Sequence, residues 1–228
     1  MINPYQNPSI YIGNLRVDEP VTSITNIIFA AICLFAFIHT KNQKRYLAVN
    51  IYRWFILAIG FSAVVAAFIG HAFLYRFGFS AKIYGWEANV LGVAIAQTAS
   101  VYHFRQFVKP PFFKILLIAN YIEILIAFIL TYTIFTFTVV EVHSAIGLLL
   151  FVSLLECIIY KKTKSALSKY MLLGVGVVVL TVFVHVFKLA VSVWFNHLDL
   201  SHLLMCISIY FFYKGIKLYK PYDYTPAT

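Results

Sequence analysis

Runs of about 20 apolar residues recur along this chain with only short polar breaks between them, and they constrain its fold more than any motif does. In hydrocarbon every backbone N–H and C=O must be satisfied within the segment, so such runs fold as transmembrane helices. Seven are expected, over residues 22–39, 54–75, 87–104, 112–133, 142–160, 170–194 and 200–216. The breaks are chemical. Thr40 to Arg45 is polar, Lys109 is followed by Pro110 and Pro111, and Lys161, Lys162 and Lys164 close the fifth run. Two prolines stop a helix and start the next. A soluble domain is excluded by composition: 62% of residues are hydrophobic and 11% charged, where globular chains run near 45–50% and about 25%. The expected fold is an all-α integral membrane protein. It is a single seven-transmembrane helix bundle over residues 1–228, with a short outer segment 1–18 and a tail 217–228. Met1 to Asn14 lacks the apolar core of a cleavable signal, so the first span is expected to direct insertion.

The net charge of +10 belongs to this frame and not to nucleic-acid binding. Fourteen of the 18 basic residues fall in the first, third and fifth inter-span loops, their flanks and the C-terminal tail. Lys and Arg are retained on the cytoplasmic side, which predicts an outside N-terminus and a cytoplasmic C-terminus. An odd number of spans agrees. The three cysteines lie inside apolar runs and read as small core residues. The Lys-, Ile- and Phe-rich composition points to a bacterial source, and hence to its inner membrane.

Five of the seven histidines and five of the eight acidic residues fall toward the less basic side. They are His71, His143, His185, His197 and His202, with Asp18, Glu19, Glu87, Glu141 and Asp199. Ionisable groups at hydrocarbon depth cost a few kcal/mol each unless paired or coordinated, so several at one depth predict a shared polar pocket. Imidazoles and carboxylates with an open position suit zinc. Each residue also has a plainer role. His143 and His197 fit an interfacial belt, Asp199 fits a helix cap, and Glu87 fits the dipole of a helix start. His71 and His202 are flanked by apolar sequence and favour ligation. In a helix, Asp199 and His202 lie about 60° apart and share a face, whereas His197 and His202 lie about 140° apart. Glu123 and Glu156 lie deep and are expected to pair with each other or with Asn120.

Three segments carry a resemblance: Glu19 to Asn26, Gly70-His71-Ala72, and Ser201-His202-Leu203-Leu204. They are similar to motifs of the superfamily that joins alkaline ceramidases to the progestin/adiponectin-type receptors. That resemblance implies seven spans with zinc held by histidines of the second and seventh helices. Ala67 stands at the family's second-helix serine, and Leu198 at the first histidine of its seventh-helix pair. Glu87 is the nearest counterpart of the third-helix aspartate.

The resemblance implies a membrane-embedded zinc-dependent hydrolase of a lipid amide or ester, taking its substrate from the bilayer. His71 and His202 would hold the metal, with His197, His185 or Asp199 completing the shell and Glu87 or Asp199 as general base. Two other classes fit the residues. One is a non-enzymatic transporter or ligand receptor whose outer pocket binds solute or protons, for which Lys188 beside His185 suits an anionic ligand. The other is a haem-binding electron-transfer protein using His71 and His185.

Overall fold

A computed structural model describes residues 8–221. It opens with a hairpin, β1 (Ser9–Ile12) and β2 (Leu15–Asp18), turned at Gly13 with φ +61°. Seven long helices follow among the described residues. They are α1 (Pro20–His39), α2 (Leu47–Ala72), α3 (Lys82–Phe104), α4 (Pro110–Ile134), α5 (Phe137–Thr163), α6 (Ala166–Val186) and α7 (His197–Lys217). The protein is an all-α membrane protein: α1, α2, α4, α5 and α6 are each long and apolar enough to cross a bilayer. The other two, α3 and α7, carry the densest polar sequence, including Glu87, Gln97, Ser100 and His103 on α3.

Most helix ends follow the chemistry of the breaks. Pro20 and Pro110 open α1 and α4 from the first turn, where a missing N–H is harmless. Phe135 and Lys164 adopt left-handed φ values and end α4 and α5. Every helix except α1 and α4 starts three to seven residues earlier than hydropathy alone indicates, because polar and charged residues extend its ends into the interface. The sixth is a correction in the other direction. It ends at Val186, not near 194, and Lys188 turns at φ 48° into an exposed loop leading to α7.

Sequence neighbours pack against one another around the bundle, and α7 closes on α1. Helix α3 lies inside, touching α2, α4 and α5. The principal core joins α1, α2, α6 and α7 through Phe29, Cys33, Tyr52, Ile56, Met171, Phe212 and Ile216. At the tightest crossing Gly174 of α6 faces the Phe212 ring so closely that any Cβ there would collide with it. Helix α4 is peripheral. Ile115, Ile118, Ile122, Leu125, Ile126 and Ile129 are all exposed on it, as lipid-facing side chains should be.

Two stretches widen to π turns, Ala66–Ala72 ending α2 and Ala145–Val152 within α5. Such turns recur at functional sites, because the extra residue per turn re-aims the side chains beyond it. Here the first carries His71.

Candidate functional site

The polar residues gather into pairs that bridge different parts of the bundle, and four of the chain's five glutamates pair with a histidine. At the pole where α1 starts, Glu19 Oε2 lies 2.5 Å from His71 Nδ1. The hairpin holds this pair in place. Asp18 accepts from Ser9 Oγ, from Arg16 and from the Tyr75 backbone N–H at 3.0 Å, which ties the chain before α1 to the end of α2. Glu19 itself takes a left-handed φ of 42° and gives no side-chain cap to α1. Lys82 lies beside Gly70, and its charge acts on Glu19.

Thr25 of α1 links this region to α7. Its Oγ1 lies 2.9 Å from His202 Nδ1 and 3.3 Å from Asp199 Oδ1. The single Thr25 hydroxyl hydrogen has two oxygen acceptors, the Thr22 carbonyl at 3.1 Å and Asp199; with it on either, the Nδ1–H of His202 donates to Thr25, leaving Nε2 as its basic nitrogen. In the same way the Nδ1–H of His71 donates to Glu19. Among the described residues neither Nε2 makes a hydrogen bond. His71 and His202 are near enough for their charges to interact, and the charge of His185 also reaches His202.

Asp199 is also the helix cap that its position suggests. Asn196 accepts from Leu198 N at 2.8 Å, and Asp199 Oδ2 accepts from Asn196 N at 2.8 Å, forming a capping box. Both of its oxygens are therefore engaged, one inside the helix end and one across to α1.

His185 and His197 form a separate group. Glu141 Oε1 lies 3.1 Å from His185 Nε2, and the rings of His185 and His197 are 5.0 Å apart at a steep angle. His197 begins α7 and turns toward α6, away from His202, as the helical spacing requires. The four histidines proposed for a metal thus have two different sets of nearest partners, though His185 also acts on His202. Among the described residues no three His, Cys, Asp or Glu side chains stand together in a metal-holding group.

Glu87 lies elsewhere again. It is five residues beyond Lys82 on α3, about 140° around the helix, so with Lys82 turned toward Glu19 it faces another side. Its charge interacts with His143, and both of its carboxylate oxygens are buried without a hydrogen-bond partner among the described residues. His143 is fully enclosed: Nδ1 lies 2.6 Å from Glu123 Oε1 and Nε2 lies 3.0 Å from the Val90 carbonyl. It is no interfacial residue.

Glu123 and Glu156 pair with histidines and not with one another or with Asn120, which donates to Thr98. Glu156 is wholly buried. It accepts from Tyr52 at 2.7 Å and Ser168 at 2.6 Å, and lies 3.0 Å from His103 Nδ1, so one carboxylate joins α2, α3, α5 and α6. Tyr52 also bonds Ser100.

Sequence reasoning missed the roles of Thr25, Lys82 and His103. Thr25 was visible within the polar start of α1, but nothing local says that a threonine will meet a histidine 177 positions later.

A family model matches residues 21–221, and its description is a family of unknown function, DUF6962. The chain belongs to that family. No curated protein and no solved structure matches it. The DUF6962 match runs from the first turn of α1 through the end of α7, so it takes in the whole helical bundle and nearly every residue discussed above, Glu19 lying just before it.

Proposed function

We propose that this DUF6962 protein is a seven-span, non-enzymatic membrane transporter that couples entry of a small anionic solute to protons. The outer pocket at Glu19, His71, Lys82 and His202 receives the solute. The observation that carries the reading is the pairing of four of five glutamates with histidines across element boundaries. Histidine is the side chain whose ordinary titration lies nearest neutrality, and intramembrane carboxylate–histidine pairs are the usual parts of proton relays. Protonation at such a pair changes the attraction between two helices, which links proton binding to helix packing. Glu87, with two buried and unpartnered oxygens beside His143, adds a further proton acceptor. Lys82 and Lys188 supply positive charge for an anion at the pole poor in other cations.

All seven helices span in this reading. Helices α3 and α7, of 23 and 21 residues, would each reach more than about 30 Å. The basic residues cluster at the other pole, which supports an outside N-terminus and a cytoplasmic C-terminus.

The resemblance to alkaline ceramidases and their receptor relatives supports a second reading, a zinc-dependent hydrolase of a lipid amide or ester. One feature favours it: His71 and His202 are each held through Nδ1 by an oxygen partner, as metal-bound imidazoles are. The donor set fits only in part. Two imidazoles are in place, a third protein ligand is not, and Asp199 has both oxygens engaged. No chemical step is derived through the metal. Were it bound, His71 and His202 would hold it, and it would supply an activated water.

Proteoliposomes test the first reading. With an inward proton gradient and a panel of small carboxylates, uptake above empty liposomes is expected, abolished by a protonophore and lost in Glu123→Gln. Uptake that survives both treatments would refute proton coupling. Metal analysis of the purified protein tests the second: stoichiometric zinc, lost in His71→Ala/His202→Ala, with no solute uptake, would replace transport by the hydrolase.

A further inference from the structure

We propose that the basic pole carries a second binding site, independent of the outer pocket, that takes a phosphate-bearing ligand. A cavity of about 490 Å³ opens there between the start of α2 and the end of α3. Its lining includes Arg45, Arg105, Gln106, Tyr46, Tyr219 and His103.

Both guanidiniums rest on aromatic faces, Arg45 over Tyr46 at 4.8 Å and Arg105 over Phe113 at 5.3 Å, and among the described residues neither has an acidic partner. Stacking fixes the plane of a guanidinium while leaving its N–H groups free to donate, and a planar fork of donors matches phosphate oxygens. Two forks lining one cavity suit one phosphoryl group or two adjoining ones.

The backbone adds a third contribution. The first turn of α2 lines the cavity at Leu47 and Ala48, and Tyr46 at that helix end gives no side-chain cap. The first N–H groups of a helix of 26 residues therefore face the same space, where an anion would satisfy them. Tyr219 supplies a further donor. It lies just beyond α7, and burial, with Tyr46 and Glu156 nearby, pushes its phenol above the ordinary value, so it stays protonated.

The floor limits what can enter. His103 is buried with its Nδ1 on Glu156, and that carboxylate is wholly enclosed and bonded to Tyr52 and Ser168. Its charge is thus taken up inside the bundle, while at the mouth the two guanidiniums have no acidic partner among the described residues. The volume exceeds that of inorganic phosphate and leaves room for an organic body against the tyrosine rings. A soluble phosphate ester and a phospholipid headgroup with an exposed phosphate both have this chemistry.

Binding to the full-length, detergent-purified protein decides the matter, with inorganic pyrophosphate, dioctanoyl phosphatidic acid and dioctanoyl phosphatidylcholine as probes. Saturable binding of pyrophosphate, of the phosphatidic acid, or of both is expected, weakened by added salt. Pyrophosphate binding marks a soluble ligand, and binding of the phosphatidic acid alone marks a lipid headgroup. Arg45→Gln and Arg105→Gln should each weaken it at least tenfold, whereas Lys161→Gln, a cation at the same pole outside the cavity, should not. Failure of both phosphate probes to bind would overturn the proposal. So would phosphatidylcholine binding equally well, affinity unchanged in both arginine variants, or an equal loss in Lys161→Gln. None of these outcomes depends on transport or zinc at the opposite pole.

Discussion

Glu156 is the residue on which the half of the bundle nearer the basic pole converges. A carboxylate with no exposure survives there because two hydroxyl groups and an imidazole surround it at 2.6 to 3.0 Å. Removing one partner of such a buried charged group is costly because the remainder is left unpaired, typically by about 3–5 kcal/mol. Glu156→Ala is therefore expected to lower the melting temperature of the detergent-purified protein sharply. Ser168→Ala removes one partner of three, and a loss of roughly 1–3 kcal/mol should follow. If the two variants melt alike, the carboxylate is not the hub described here. At the other pole, Thr25→Val keeps the shape of the side chain but removes the oxygen that His202 and Asp199 share. It should release the His202 ring, visible as a changed imidazole tautomer by nitrogen NMR, while His71 keeps its signal through Glu19.

At the scale of elements, the start of α7 and the crossing of α6 on α7 are separately testable. Asn196 and Asp199 form the capping box, but Asp199 also accepts from Thr25 of α1. Asn196→Ala should cost about 1 kcal/mol, the usual loss of a cap. Asp199→Ala should cost more, because a cap and an interhelical bond go together, and denaturant titration of the two variants measures the difference. Equal losses would mean the Thr25 contact contributes nothing. At the crossing, Gly174→Ala puts a Cβ into the Phe212 ring, and overpacking of a buried contact is expected to destabilise by about 1–3 kcal/mol. Gly176, two residues on, has nothing near its Cβ position, so Gly176→Ala should be neutral or slightly stabilising. A helix end such as that of α6 was harder to read. Hydropathy continues through Leu189, Val191, Val193 and Trp194, yet Lys188 turns the backbone, and those side chains lie exposed in a loop. Apolar character alone does not separate a span from an interfacial loop.

For the whole molecule, the asymmetry of charge is the main handle. A reporter fused after Thr228 should be protected from external protease in intact cells, and a tag before Met1 should be cleaved. The reverse pattern would invert the assignment of both sites to their sides of the membrane. Composition and the spacing of breaks were enough to establish a multi-helical membrane protein, because transfer from water to hydrocarbon sums over local residues and needs no knowledge of neighbours. The clustering of titratable groups was equally legible, since depth along a helix follows from position in the chain. Which of these groups meet was not. Glu123 faces His143 and not Glu156, and Lys82, not Glu87, turns toward Glu19. Each outcome depends on the rotation of one helix against another, and that rotation is set by close contacts such as Gly174 on Phe212 and by π turns that shift the phase beyond them. Sequence by itself determined the solvent this protein lives in and the depth of its polar residues. Only the tertiary structure decided their partners, because a pairing is a distance between helices and no local sum contains it.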